Sequence, residues 1–289
     1  IDEGNNLNWF NSHKMVICLL MGIVFITFFI WRGLLGRSVV NFKLFKNFNF
    51  VISCTIVFTF MVAVTLSMAF YATFLQQGYG FPVDIAGYIT APRGMFAVLG
   101  GVIGGILCTK FDKRIILMVG LLLFSLGCWL ETNFGTNWTL STQLLVCAVI
   151  GLSMSMTFAP LMQVAFNGVS KALSNDAGGV FNFFRNIGNS VGTSIASTLI
   201  SRNEQISWND LSTHVSPFSN SLQQMQNGIL HGMPLLQQII IVAQEVQSQA
   251  FLIANINLFY LGAIITLALC VLPLFLAKPP KGVVKVNLH

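Results

Sequence analysis

Most basic residues of this 289-residue chain lie in every second connection between its long apolar stretches. Seven long apolar stretches divide the sequence, at about 15–31, 51–75, 84–108, 115–130, 139–168, 177–200 and 250–277. If the connections alternate between an outer and an inner side, starting with an outer N-terminus, 11 of the 15 Lys and Arg residues fall inside. These are Arg32, Arg37, Lys43, Lys46, Lys110, Lys113, Arg114, Lys171, Lys278, Lys281 and Lys285. Since Lys and Arg in short loops stay cytoplasmic during insertion, the sorting predicts seven membrane-spanning helices with the C-terminus inside.

The acidic residues take the opposite side. Only Asp112 and Asp176 fall on the inner side of this arrangement. The other acids lie at or beyond the outer ends of the spans, and they are Asp2, Glu3, Asp84, Glu131, Glu204, Asp210 and Glu245. We therefore expect no carboxylate at mid-membrane within the spans.

The composition excludes several classes of protein. Only 8% of the residues are charged, whereas a soluble globular domain carries about 25%. The net charge of +6 follows from the inner-side residues, so we predict no nucleic-acid interface. The six cysteines lie within or at the ends of spans without a CxxC pair, which argues against a metal site or a disulfide framework. No hydrolase, cofactor or phosphate-loop motif appears, so we expect neither a cofactor nor enzymatic activity.

One connection is long and polar. Residues 202–249 are rich in Ser, Asn and Gln, and the sorting places them outside. After Pro234, apolar residues recur at three-to-four spacing, which predicts an amphipathic helix. Such a helix either lies at the membrane interface or docks a partner outside the membrane, and both hypotheses remain open.

Arg185 lies well inside the sixth apolar stretch. A central Arg costs about 2.5–3.5 kcal/mol on insertion scales, so it needs several Leu, Ile, Phe or Val residues to offset it. Asn182 and Asn189 lie one turn before and after it, on the same helix face. We predict that these three residues line a water-filled pathway; the alternative is an Arg that bonds helix-end carbonyls to hold the bundle together. Gly188 and Gly192 form a small-xxx-small pair that lets another helix approach.

A second Arg lies in the third apolar stretch. Arg93 follows Pro92 about two turns into this span, where it either serves the pathway or reaches out to the outer interface. The same span contains Gly100-Gly101 and Gly104-Gly105, two overlapping GxxxG pairs that predict a smooth helix face.

The inner turn after this span places one acid among three bases. Asp112 stands between Lys110, Lys113 and Arg114. Topology alone does not require an acid there. We expect the Asp112 side chain to cap the next helix and to accept a hydrogen bond from Arg114.

These motifs resemble the major facilitator superfamily. Gly105 with Asp112-x-Arg114 is similar to the inner loop motif in the C-terminal half of that superfamily. Asn182-x-x-Arg185-x-x-Gly188-x-Ser190-x-Gly192 resembles the penultimate span of the fourteen-span drug/proton antiporters of the EmrB type. Three further segments are similar to the same branch: the opening Ile1-Asp2-Glu3-Gly4, Ala91-Pro92-Arg93-Gly94 and the ending Ala277-Lys278-Pro279-Pro280.

The resemblance implies an all-α integral membrane fold. Residues 1–50 would comprise an outer loop, a linker transmembrane helix and a cytoplasmic loop. Residues 51–289 would form the six-helix C-terminal transporter bundle, including the outer loop 202–249. Within it, we expect four residues to line the transport pathway, namely Arg93, Asn182, Arg185 and Asn189. We expect conformational roles for a second set, namely Gly105, Asp112, Arg114, Gly188 and Gly192.

The resemblance also implies a function. It points to the C-terminal half of a proton-coupled multidrug or toxicant efflux transporter in the bacterial inner membrane, with a periplasmic N-terminus and a cytoplasmic C-terminus. Its implied partners are hydrophobic drug-like substrates, protons, an N-terminal half, a periplasmic adaptor and an outer-membrane channel. Proton coupling in the family rests largely on the N-terminal half, so we expect this chain alone not to pump. The start at Ile1, without an initiator Met, is interpreted as that of a fragment, a processed product or the downstream half of something larger.

Two other hypotheses remain. One is a non-transporting remnant or an assembly partner from a split gene. The other is a seven-helix receptor or retinal protein, whose topology also fits. The last span, however, contains no Lys for a Schiff base, and no Cys lies at the outer end of the third span.

Overall fold

The computed structural model describes residues 13–34, 42–133, 139–167, 169–170, 173–214 and 235–276, and these residues are helical apart from short turns. Seven long helices follow one another: α1 (His13–Leu34), α2 (Phe48–Met68), α3 (Val83–Lys110), α4 (Lys113–Thr132), α5 (Leu140–Ala165), α6 (Ser174–His214) and α7 (Leu235–Leu269). Short helical segments flank them at Phe42–Lys46, Tyr71–Thr73, Phe74–Gly78 and Leu272–Phe275. The predicted all-α fold is confirmed.

Five of the described segments are long and apolar enough to cross a membrane. They are Phe48–Gly78, Val83–Lys110, Lys113–Thr132, Leu140–Ala165 and Ile240–Phe275. The other two predicted spans, 15–31 and 177–200, are also helical and lie within α1 and α6. Arg185 and several Asn and Ser residues lower the apolar content of α6.

The outer connection differs from its prediction. α6 continues to His214, well past the predicted end of its span at 200. The amphipathic stretch after Pro234 does not form a separate helix, because α7 runs without a break from Leu235 to Leu269. No proline or glycine interrupts residues 235–261, so the helix has no local reason to end at the membrane surface. Residues 215–234 lie outside the described part of the chain.

α2 is the central helix of the bundle. Phe60, at its middle, packs edge-on against Phe124 of α4 and Phe158 of α5, with ring centroids 5.1 and 5.5 Å apart. In the next turns the backbone departs from regular α-helix at Ala69–Phe70, and Tyr71 then packs in a second apolar cluster with Phe259 of α7. α2 and the segment after it therefore pack against α4, α5 and α7 at two levels, and α6 also packs on α2.

Glycines set the closest helix contacts. A Cβ at Gly188 or Gly192 of α6 would overlap α2, at the Phe58 carbonyl and at Thr65 respectively. On α3, a Cβ at Gly100 would overlap the backbone of Leu152 in α5. The two overlapping GxxxG pairs of α3 consequently divide: Gly100 and Gly104 face α5, while nothing lies within 4 Å of a Cβ at Gly105.

Candidate functional site

Arg185 lies on an exposed face of α6. It is 11 residues past the start of α6 at Ser174, which places it about 17 Å along the helix. Its guanidinium lies 5.6 Å from the ring centroid of Phe158. No carboxylate of the described residues lies within ion-pair distance of it. An exposed cation at this depth needs either water or an acidic partner contributed from outside the bundle.

The two asparagines differ in their surroundings. Asn182 is exposed beside Arg185, whereas Asn189 is half-buried against α2. The side-chain oxygen of Asn189 lies 3.3 Å from the hydroxyl of Thr65, and that hydroxyl donates to the Met61 carbonyl at 2.7 Å. Asn189 therefore links the polar face of α6 to the central helix.

Arg93 of α3 occupies a buried site within the bundle. Its Nη2 donates to Oε1 of Glu131 in α4 at 2.9 Å, and the two side chains are 9% and 0% exposed. This is the one ion pair found in the part of the chain that the structure describes. Arg93 Nε and Glu131 Oε2 are buried without a hydrogen-bond partner there. The pair is thus held by a single contact instead of a bidentate one.

Two neutral groups complete the surroundings of Arg93. The guanidinium lies 4.4 Å from the ring centroid of Tyr71, a cation–π distance. Its Nη2 is also 3.9 Å from Sγ of Cys147 in α5, and that thiol donates to the Tyr71 hydroxyl at 3.4 Å. Side chains from α3, α4, α5 and the segment after α2 therefore meet at one buried polar cluster, which we call the Arg93 cluster: Tyr71, Arg93, Glu131 and Cys147.

The structure brings together two charges that the sequence analysis treated separately. Arg93 ends in a buried ion pair, so its guanidinium does not extend into solvent. Glu131 lies at the span end where the sequence placed it, one residue before the last residue of α4, but its side chain is fully buried there. The number of residues from the inner turn could have predicted this pair. Arg93 precedes Lys110 by 17 residues, and Glu131 follows Lys113 by 18. Two adjacent helices joined by a short turn bring such positions to the same level.

The inner turn also differs from its prediction. Asp112 occupies the N-cap position of α4, but its side chain makes no capping hydrogen bond. Its Oδ1 and the Nε and Nη2 of Arg114 are buried without hydrogen-bond partners among the described residues. The predicted Asp112–Arg114 contact was wrong, because side chains two residues apart do not face each other at a helix start.

The parts of α6 and α7 that continue beyond their apolar stretches form a polar contact. Gln247 donates to Glu204 across the two helices. Burial raises the pKa of Glu204 above its usual value, and the hydrogen bond from Gln247 acts in the opposite direction. A cavity of about 580 Å³ opens beside them, lined by Ser201, Glu204, Gln205, Trp208, Asn209 and Gln247.

Comparison with known proteins agrees with this architecture. Residues 9–193, more than half of the chain, match the profile of the Major Facilitator Superfamily. The multidrug export protein EmrB of Haemophilus influenzae is 28% identical over 287 residues, covering 98% of this chain and 56% of EmrB. The fatty acid resistance protein FarB of Neisseria gonorrhoeae is 26% identical over 288 residues, covering 97% of this chain and 55% of FarB. The chain thus spans about half the length of the curated relatives it matches.

A solved structure has the same helical arrangement. A bacterial homologue of the human lysosomal transporter Spinster, in an inward-facing and occupied conformation, superposes with a TM-score of 0.60 at 15% identity. The match covers 78% of this chain and 48% of the homologue. The seven-helix receptor hypothesis is therefore set aside, and the chain belongs to the Major Facilitator Superfamily of membrane transporters.

Proposed function

We propose that this chain forms the C-terminal bundle of a proton-coupled multidrug exporter in the bacterial inner membrane. The proposal is supported by curated relatives named as multidrug export and resistance proteins, which match 98% of the chain. Its substrates would be hydrophobic drug-like molecules. Because the chain spans 56% of EmrB, a second bundle N-terminal to it would supply the opposite wall of the pathway.

The exposed position of Arg185 is the observation that carries this proposal. An exposed Arg about 17 Å along a membrane-length helix would face lipid at a cost of about 2.5–3.5 kcal/mol if nothing covered it. An aqueous pathway between two bundles removes that cost. We propose that Arg185 and Asn182 contact the substrate there, and that Asn189 fixes the polar face of α6 against α2.

Arg93 has an indirect role in this proposal. Its guanidinium is enclosed by Tyr71, Cys147 and Glu131, so a substrate in the pathway does not reach it directly. We propose that Arg93 acts on the pathway through the position of Tyr71 and the end of α2.

The inner turn would serve as a conformational latch. Asp112 and Arg114 carry buried polar atoms without partners in the described bundle, and an inner helix end of the second bundle would provide those partners in one state. No atom of the other described helices lies within 4 Å of a Cβ at Gly105, so this position of α3 would allow a moving helix to pass. Gly188 and Gly192 would keep α6 and α2 in contact while the bundles rock about the central site.

The parts of α6 and α7 beyond their apolar stretches would bind the periplasmic adaptor. With the N-terminus periplasmic and the C-terminus cytoplasmic, the polar contact between Glu204 and Gln247 would face the periplasm. An adaptor bound there would lead to an outer-membrane channel. Reporter fusions test this orientation: those after Lys46, Lys113, Lys171 and Lys285 should report cytoplasm, and those after Gly135 and Ser219 the periplasm. A single inverted site would exclude the arrangement.

A drug-sensitive, pump-deficient bacterial strain tests the export function. Residues 1–289 are expressed alone or together with the N-terminal bundle of the same transporter, at matched membrane levels. We expect proton-driven drug export from the pair and none from the chain alone. Export by the chain alone would contradict the half-transporter proposal. An inserted pair without export would favour the second candidate, a remnant or assembly partner, which the half-length match to the relatives also fits.

A further inference from the structure

We propose that Glu131 is a proton-binding residue of this bundle, and that it takes up its proton by giving up the ion pair with Arg93. The inference rests on the proposed proton-coupled export and adds a specific site to it. Nothing in the charge pattern of the sequence assigns such a site to this half, because Glu131 follows an apolar span and is grouped with the outer acids.

The geometry of the pair makes it one that can open. Only Oε1 of Glu131 contacts Arg93, and Oε2 is buried without a partner among the described residues. A bidentate Arg–carboxylate pair would hold both oxygens and resist protonation more strongly. Here a proton on the carboxylate removes one ionic contact and neutralises an acid that is 0% exposed.

Arg93 remains supported when the pair opens. The Tyr71 ring lies 4.4 Å from its guanidinium, and a ring face attracts a cation most effectively away from water. Protonation of Glu131 adds one proton to a carboxylate oxygen and breaks no covalent bond. The charge of the pair changes from zero to plus one. The positive charge then stays beside Tyr71.

Glu131 is the group of this cluster suited to change its charge. Within the described part of the chain, the charged and titratable groups facing it are Arg93 from α3, Tyr71 from the segment after α2, Cys128 from α4 and Cys147 from α5. From α7, the contact on Tyr71 is the neutral ring of Phe259. Guanidinium groups stay protonated, and phenols and thiols ordinarily lose their protons only in alkaline solution. A carboxylate is the member that gains a proton as the pH falls.

The cluster is placed to transmit the change. A Cβ at Gly151 of α5 would overlap the Arg93 carbonyl, so α3 and α5 are in direct backbone contact at this level. Tyr71 follows the irregular backbone at Ala69–Phe70, and α2 carries Thr65, which lies against Asn189. A shift of Arg93 towards Tyr71 therefore acts on the helix that supports the polar face of α6.

The first experiment detects the proton without transport. The chain of residues 1–289 in lipid nanodiscs is titrated from alkaline to acidic pH by infrared difference spectroscopy. We expect a buried carboxyl band that appears on acidification in the wild type and is lost in Glu131→Gln. Asp84→Asn, which alters an exposed acid at the start of α3, should keep the band. A wild-type spectrum without any band sensitive to Glu131→Gln would overturn the proton site.

The second experiment separates proton binding from a structural role. The full transporter is reconstituted in vesicles, and drug movement is measured with a pH gradient and, separately, as drug exchange at equal pH. Glu131→Gln should lose gradient-driven movement and keep exchange. The double variant Arg93→Gln/Glu131→Gln, which removes both charges, should remain uncoupled. Recovery of gradient-driven movement in the double variant, or its retention in Glu131→Gln, would reduce the pair to a structural contact.

The two experiments also distinguish this inference from the proposed function. A wild-type transporter that moves no drug under either condition would refute the proposed export, whereas the spectra would still decide whether Glu131 binds a proton. If Glu131→Gln does not reach the vesicles, Glu131→Asp serves as the second variant. It keeps a carboxyl group and is expected to retain coupling, and loss of coupling in a folded Glu131→Asp would count against the proposal.

Discussion

Arg93 and Arg185 both lie several turns inside long helices, yet only Arg93 has an acidic partner among the described residues. Arg93 is enclosed by three helices and a tyrosine ring, while Arg185 lies exposed on α6 with a phenylalanine ring beside it. An unpaired Arg at the centre of a bilayer costs about 2.5–3.5 kcal/mol. The bundle supplies a counter-charge to Arg93 near the end of α4, whereas any such cost at Arg185 is left to be offset from outside the bundle. The difference distinguishes a charge that organises the bundle from one that serves the surface where transport is proposed.

The largest expected effect is on stability. Arg93→Met should leave Glu131 as an unpaired buried carboxylate and destabilise the bundle by about 3–5 kcal/mol near neutral pH. The loss should shrink on acidification, because a proton then removes the unpaired charge. The matched variant Arg185→Met should change stability by less than about 0.5 kcal/mol, as expected for an exposed side chain. Unfolding of the detergent-solubilised chain measures both, and equal destabilisation by the two variants would remove the contrast.

The next effect concerns transport. Arg185→Ala should lower drug export by about tenfold or more, since a hydrogen bond to a charged group contributes about 1.5–3 kcal/mol. Arg185→Lys should be intermediate, because it retains the charge and loses the planar fork of donors. Export is measured in vesicles of the full transporter at equal expression. Wild-type export by both variants would reduce Arg185 to a structural role.

A smaller effect is expected at the inner turn, remote from both arginines. Asp112→Asn should slow turnover by about fivefold at most, because a half-exposed charge contributes about 1 kcal/mol or less. Drug affinity should stay nearly unchanged if Asp112 acts as a latch and does not bind substrate. Parallel measurements of maximal rate and of drug binding distinguish the two roles. Weaker binding with an unchanged maximal rate would contradict the latch.

Most of the fold follows from the sequence, because long apolar stretches and sorted charges specify membrane helices before any packing is known. Helix ends are less predictable: α6 and α7 continue into polar outer segments, where hydropathy falls although the residues still form helix. Asn182, Arg185 and Asn189 are spaced three and four residues apart within a membrane-length apolar stretch. This spacing predicted a polar face on one helix, and the three residues do lie along α6.

The distribution of charges along the sequence did not predict the Arg93 cluster. A charge near the end of an apolar stretch is assigned to a loop, so Glu131 counted as an outer residue although it is fully buried. Its partner becomes apparent only when positions on two helices are counted from their shared inner turn. Tyr71 and Cys147 join the cluster through the irregular backbone at Ala69–Phe70 and the close packing of α3 on α5. Neither feature has a local sequence signal.

Water access to Arg185 tests the central claim most directly. Single cysteines replace Arg185 or Met95 in a transporter whose native cysteines have been removed, and intact membranes are treated with a charged, water-soluble thiol reagent. Met95 is the matched control, because it is 70% exposed on the apolar face of α3, where lipid would cover it. We predict rapid labelling of Arg185→Cys, protection by drug substrate, and no labelling of Met95→Cys. An unlabelled Arg185→Cys, or equal labelling at both positions, would contradict an aqueous pathway along α6.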